Sequence, residues 1–295
     1  MPPLISIGVP VYNGAGFLPQ ALDSLLGQTV ADFELIISDN ASTDDTEKVC
    51  RDYAKQDERI RYIRQPINLG APANWNFVAV QARGKYFKWS SANDYCAPEM
   101  LARCVAPMEA DPGIVLCYGR TCLVEEESGR REEYSGDFSV IEGRPHERFN
   151  TLCRMIRLNN AQNGLIRVDA LRRTQLDRHY PGGDVVLMAE LALQGRFLLL
   201  PEILLYRRMG REAFSSLLTP EEMGFFFDPQ RRSKYDLRLL WLHLDFLVTV
   251  LRASLSLPEK LQTLALVARR AVWARSYLWA EFRAAILRKR DRRHA

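Results

Sequence analysis

Residues 4–16, LISIGVPVYNGAG, set the pattern for the chain. The first nine are mostly apolar and rich in β-branched side chains, which predicts a strand buried on both faces. Gly14 and Gly16 break it. Phe17, Leu18, Ala21, Leu22, Leu25 and Leu26 then recur at helical spacing as far as Gly27. The same unit returns twice more. FELIIS at 33–38 is an apolar run ended by Asp39 and Asn40, and Ser42 followed by Asp45 predicts a capping-box start for a helix through about Lys55. IRYIR at 60–64 gives a third strand, a helix over roughly 72–83 follows the Pro66–Gly70 turn, and KYFKWS at 85–90 gives a fourth strand. A β-α-β-α-β-α-β order of this kind predicts a parallel, doubly wound sheet.

The pattern loosens after residue 95. Pro98 opens a helix to about Ala110, GIVLCYGRTCLV at 113–124 reads as a strong strand, and the charged stretch 125–147 reads as a long loop. A strand near 163–167, a helix opening at Asp184, and strand-like RFLLL and ILLYR around Pro201 follow. FFFDPQRRSK at 225–234 breaks the pattern. Two helices joined near Pro258 are expected beyond it.

Composition narrows the classes. At 295 residues, 47% hydrophobic and 26% charged, the chain can bury a substantial core and is not disordered, collagenous or a small disulfide scaffold. A net charge of +4 is too mild to imply nucleic acid. No apolar run reaches the roughly 18–20 residues of a spanning helix. MPPLISIGVPVYN reads as a first strand, not a signal peptide. Six cysteines (Cys50, Cys96, Cys104, Cys117, Cys122, Cys153) without CxxC or metal-finger spacing read as reduced thiols, which suits a cytoplasmic protein.

In open α/β sheets, ligands sit outside the carboxyl ends of the strands. Each of the first four strands ends in a polar or Gly-rich cluster: Tyr12-Asn13-Gly14, Asp39-Asn40, Asn68-Leu69-Gly70 and Ser91-Ala92-Asn93-Asp94. Any one is an ordinary turn composition. Four at corresponding edges point to a ligand site.

VPVYN at 9–13, SDNASTDDT at 38–46, NLGAPANWN at 68–76, SSANDYCAPEML at 90–101 and GGDVVLMAELAL at 182–193 resemble, in order and spacing, the motifs of family 2 glycosyltransferases. The resemblance covers about residues 3–216. It implies a GT-A fold: a Rossmann-like, mostly parallel α/β sheet flanked by helices, here with a C-terminal helical extension. With the boundary placed at the pattern break at about 225–235, the expected domain is 1–230, divided into a nucleotide-sugar half of about 1–112 and an acceptor half of about 113–230, with residues 231–295 as the extension. The implied activity is inverting transfer of a hexosyl-type sugar from a UDP- or dTDP-sugar to a hydroxyl of a glycan, lipid-linked or protein acceptor, in bacterial surface polysaccharide or glycoconjugate assembly. A nucleotide-sugar-binding protein without transfer is the alternative.

Carried onto this chain, the resemblance puts Pro10, Val11, Tyr12 and Asn13 against the base and ribose, with Pro10 and Val11 lending backbone groups. Asp39 matches the carboxylate on the base imide N–H. Asn68, Gly70 and Asn74 match the loop and helix start beside the nucleotide, where free donors suit anionic oxygens. Asp94 is the metal ligand for Mn2+ or Mg2+ and Asn93 stands where a second Asp is usual, so coordination there is weaker. The segment Tyr206-Arg207-Arg208-Met209-Gly210-Arg211 lacks the His that often completes this site, and an Arg there is an alternative partner for diphosphate oxygens. Asp184 is the base for the acceptor hydroxyl; Asp is also a favoured helix N-cap. Glu190 reads as structural or acceptor-facing, and Trp75 and Trp89 as core or as sugar-stacking rings.

Residues 235–295 carry twelve Lys+Arg and five Asp+Glu; the rest of the chain is net acidic. A basic amphipathic segment of this kind suits an inner-leaflet membrane surface, a second subunit in a homodimer, or packing on the catalytic domain. A peripheral inner-membrane location is the corresponding expectation.

Overall fold

The computed structural model describes residues 2–210, 219–229 and 237–291. The alternation read from the first ninety residues is present. Strands β1 (Ile5–Val11), β2 (Phe33–Asp39), β3 (Ile60–Arg64) and β4 (Tyr86–Trp89) are separated by helices α1 (Leu18–Leu26), α2 (Thr46–Gln56) and α3 (Ala71–Val80). The four strands are parallel in the order β3-β2-β1-β4. Register lines up Val11, Asp39 and Arg64 across three strand ends, so the polar clusters after them share one edge. β1 and β2 are buried along their whole length because helices cover both faces.

Beyond β4 the sheet becomes mixed. The short β5 (Tyr95–Cys96), α4 (Met100–Ala110) and the long β6 (Ile114–Glu125) come next, followed by β7 (Arg131–Glu133) and α5 (Pro145–Met155). A 3-10 turn, Asn160–Asn163, leads into β8 (Leu165–Arg167), α6 (Val168–Arg172), α7 (Gly183–Gln194) and β9 (Arg196–Met209). β8 lies between β4 and β6, antiparallel to both, and β9 runs parallel to β6. RFLLL and ILLYR are one strand: β9 passes through Pro201, and its register against β6 shifts near Gly119 and Arg120. The stretch 125–147 is not all loop. Arg131–Glu133 pairs with β6 as a wholly exposed strand, so it has no apolar face that a pattern could reveal.

The C-terminal part holds α8 (Pro220–Phe227), α9 (Arg238–Arg252), α10 (Leu257–Trp273) and α11 (Arg275–Asp291). Three helices, not two, therefore follow residue 237 among the described residues. The added break falls at Ala274, whose φ of −83° and ψ of −1° barely leave the helical region, and no Gly or Pro marks it. These helices are fixed to the sheet domain. Phe246 and Val250 of α9 and Val267 of α10 belong to the same core as Phe149 of α5 and Met188 of α7. Phe149 and Phe246 meet edge to face at 5.4 Å. Arg178 bridges Glu190 of α7 (2.9 Å) and Asp245 of α9 (3.6 Å). Among the described residues, no helix is long and apolar enough to cross a membrane. All six cysteines are free and buried.

Candidate active site

The loops after β1 and β2 are clipped together through backbone donors. Asn13 N–H donates to Ser42 Oγ (2.9 Å), Gly14 N–H to Thr46 Oγ1 (2.9 Å) and Ala15 N–H to Asp44 Oδ2 (3.1 Å). Thr43 N–H returns a bond to Asn13 Oδ1 (2.8 Å). Asn13 has a φ of 50°, a left-handed conformation that Asn tolerates. The capping box expected of Ser42 and Asp45 is thus not formed. Asp45 is the N-cap without a side-chain bond, Ser42 holds the neighbouring loop, and Asp44 accepts Thr46 N–H. Burial works to raise Asp44, but bonds from Thr46 and Ala15 outweigh it and hold its carboxyl below the usual range.

Asp39 ends β2 fully buried. Its Oδ1 accepts Ser42 N–H (2.8 Å), and its Oδ2 accepts the Tyr62 hydroxyl (2.9 Å) and Arg64 Nη1 (2.6 Å). The carbonyl of Val11 beside it accepts Asn40 N–H (2.8 Å), while Pro10 is buried in β1 and Tyr12 stands 38% exposed. Asn68 Oδ1 accepts from Asn40 Nδ2 and from Gly70 N–H, both at 2.8 Å, so the second and third clusters are joined. Asn74 does not line the cleft. It is buried, its Oδ1 accepts the Ser38 hydroxyl (2.6 Å) and its Nδ2 donates to Ser38 O (2.9 Å), tying α3 to β2.

Phe225 and Phe227 of α8, read from sequence only as part of a break, lie over these clusters. The Phe225 and Tyr12 rings are 6.0 Å apart, and the carbonyl of Phe227 would be 2.5 Å from a Cβ on Gly70.

The fourth cluster is a tight turn in which Asp94 N–H donates to Ser91 O (3.4 Å) and Asn93 N–H to Ser91 Oγ (3.2 Å). Asp94 is buried and accepts Arg208 N–H on Oδ1 (3.0 Å). Burial pushes its carboxyl up to about 6, tempered by Arg207, by that N–H and by Lys88. Lys88 is a group the sequence reading passed over: fully buried on β4, it donates to Trp89 O (2.9 Å) and Asn163 O (2.8 Å), a fixed cation near Asp94. Its only signal was a charge inside an apolar strand. Trp89 is core; its Nε1 donates to Trp75 O (2.9 Å).

Arg208 is not placed to meet diphosphate. It is buried, donates to Glu126 (2.5 Å), Gln20 and Asn93 O, and lies between the Phe17 and Tyr95 rings. Arg207 donates to Asn160 Oδ1 (2.6 Å), whose Nδ2 donates to Asp137 (2.9 Å). Arg211 and His294 lie outside the described residues. No cluster of three His, Cys, Asp or Glu side chains able to hold a cation occurs among the described residues. A single carboxylate, Asp94, suits a cation that brings its other oxygens from a diphosphate and water, the usual habit of Mg2+ at nucleotide sites.

Asp184 sits in the first turn of α7, where the N-cap is Gly182, left-handed at φ 98°; the capping position open to Asp184 thus falls two residues earlier, on glycine. Its Oδ2 accepts Asn159 Nδ2 (2.9 Å). The adjacent residues Asn159 and Asn160 therefore hold Asp184 and Arg207, and Arg207 acts on Asp94. Asp177 is a second acid in this region that sequence reading missed. Its Oδ1 is buried without a hydrogen-bond partner, and burial together with the Asp184 charge holds it well above the usual carboxylate range. Asn76 of α3 clamps its backbone with two 2.9 Å bonds. Glu190 is structural: it is buried and paired with Arg178, and it accepts Gln175 N–H (2.9 Å).

A parallel half joined to a mixed half, with Asp39, Asp94 and Asp184 near the strand ends and the adjoining helix start, is an open α/β sheet of the class in which ligands bind beyond the carboxyl ends of the strands. The model of the family described as Glycosyl transferase family 2 matches residues 6–174, more than half of the chain. The chain belongs to glycosyl transferase family 2.

Among curated relatives, it is 40% identical over 103 residues to an uncharacterized glycosyltransferase, EpsJ, of Bacillus subtilis, covering 35% of this chain and 30% of that one. It is 32% identical over 137 residues to a GalNAc(5)-diNAcBac-PP-undecaprenol beta-1,3-glucosyltransferase of Campylobacter jejuni, covering 45% and 43%. The chain thus spans less than half the length of these relatives. Of solved structures, S. aureus TarS with UDP-GlcNAc aligns at a TM-score of 0.65 and 18% identity, covering 92% of this chain and 72% of that one. A mannosyltransferase of Pyrobaculum calidifontis with GDP-Man and Mn2+ aligns at 0.56 and 17%, covering 97% and 76%. At these identities the likeness is one of fold, the GT-A fold.

Proposed function

We propose that the chain transfers a sugar from a UDP- or dTDP-linked donor to an acceptor hydroxyl, with inversion at the anomeric carbon, in surface polysaccharide or glycoconjugate assembly. The observation that carries this reading is the Asn159-Asn160 pair, which links the acid at the start of α7 to the cationic and carboxylate groups at the sheet edge. An inverting displacement needs a base on one face of the sugar and charge stabilisation of the leaving diphosphate on the other.

Asp184 is the base: Asn159 orients one oxygen, and the carboxylate takes the acceptor proton as the hydroxyl attacks. Asp39 keeps acceptor capacity for a uracil or thymine imide N–H, since an ionised carboxylate has about four acceptor positions and three donors reach it here. Asp94, with Asn93 beside it, would hold Mn2+ or Mg2+ against the diphosphate; when bound, that ion neutralises the leaving group. Arg207 and Lys88 place positive charge at the same edge. The undecaprenol-linked acceptor in the name of the Campylobacter relative supports a lipid-linked glycan acceptor here.

The test is a nucleotide-sugar panel with product detection and donor calorimetry. Asp184→Asn is expected to lower turnover by about 10²–10⁴-fold while donor affinity stays near wild type. Retained turnover removes Asp184 as the base. Donor binding without product from the wild-type chain across the panel and a range of acceptors would favour a binding protein instead.

A further inference from the structure

The helices after residue 237 present a surface that the transfer site does not use. The inner face of α9 (Phe246, Thr249, Val250) is buried, yet its outer face is apolar as well: Leu240, Trp241, Leu244, Leu247, Val248 and Leu251 recur at helical spacing and are 38–54% exposed. Leu257, Leu261 and Val272 continue an exposed apolar row on α10, and Tyr277, Trp279, Phe282 and Ile286 are exposed on α11. An exposed apolar area of this extent marks a contact surface.

Charge decides what covers it. Residues 235–295 hold twelve Lys+Arg against five Asp+Glu. Arg238 pairs with Glu281 (3.7 Å) and Arg252 feels the Glu190 charge, whereas Arg269, Arg275 and Arg283 form no ion pair with a carboxylate among the described residues. A two-fold contact with a second copy would set this cationic region against itself. An anionic lipid surface complements it, and Trp and Tyr rings suit the headgroup depth.

A second observation lies at the end of the α9 row. Directly after Leu251, Arg252 joins Arg172 and Arg173, with Thr174 and Ser254, around a cavity of about 610 Å³ whose one acidic lining residue, Glu190, is already paired with Arg178. Guanidinium groups beside hydroxyls are a recognition set for phosphate oxygens. We propose that the outer face of α9–α11 lies on an anionic membrane, with this arginine cavity receiving a lipid phosphate.

Vesicle co-sedimentation of the full chain tests this without any sugar transfer, so its failure and that of the transferase reading are separable. The chain is expected to sediment with phosphatidylglycerol-containing vesicles, less with pure phosphatidylcholine, and less at high salt. Leu244→Glu with Leu251→Glu should weaken binding at least about tenfold, and Arg252→Glu about fivefold or more. Leu261→Glu on α10 is a second reporter should the double variant lose its wild-type thermal midpoint. Absence of wild-type binding to anionic vesicles, equal binding to neutral ones, or wild-type binding by folded variants overturns the proposal. So does a dimer in sedimentation velocity that Leu244→Glu with Leu251→Glu dissociates, which would give the face to a second copy.

Discussion

Asp94 shows how environment gives one carboxylate a task. Sequence makes it an acid at a strand end, and burial lifts its carboxyl to about 6 against the pull of Arg207 and Lys88. Protonation below that value removes the charge a cation would need. Metal-supported donor binding should therefore fall as pH drops through 6 and hold steady above it; calorimetry with Mn2+ across that range is the check. A bound cation moves the midpoint lower, because it favours the ionised form. Asp94→Ala should lose metal-dependent donor binding at every pH. Asp39, Asp94 and Asp184 could be singled out in the sequence because each belongs to one of the motifs the resemblance rests on. Lys88, Asp177 and the Asn159-Asn160 pair could not. Their significance comes from burial and from partners 75 residues away in the case of Lys88 and Asn163, and 101 in the case of Asp177 and Asn76.

At the scale of elements, the first four strands and their helices were readable because hydrophobic period and turn residues agree there. The reading failed where an element lacks a contrasting face. β7 is wholly exposed, and the α10–α11 break has no Gly or Pro. α8 matters because it rests on the N-terminus of α3, where Gly70 has a φ of 84°. A side chain there faces two costs: a left-handed backbone, and a Cβ 2.5 Å from Phe227 O. Gly70→Ala should lower stability by about 1–3 kcal/mol in urea unfolding. It should also weaken donor binding by disturbing the contact between α8 and the Asn68-Leu69-Gly70 turn.

For the molecule as a whole, the helices after residue 237 complete a core begun by the sheet domain. Phe246→Ala would remove a buried ring packed against Phe149 and is expected to cost about 3–5 kcal/mol by urea unfolding. Deleting the helices would uncover the same surface, which is why point changes on the outer face test membrane contact more cleanly than truncation. The charge count located the basic region but could not show that its inner face is core. The buried thiols add a further consequence. Cys153 lies on α5, where its backbone carbonyl accepts a bond from Arg270 of α10 (3.1 Å), and burial pushes its thiol up to about 11. Cys50, Cys96, Cys104 and Cys117 lie in the separate core on the other face of the sheet. A thiol-reactive dye is thus a position-coded clock: labelling of Cys153 ahead of those four times the lifting of α10 alone, and simultaneous labelling times global unfolding.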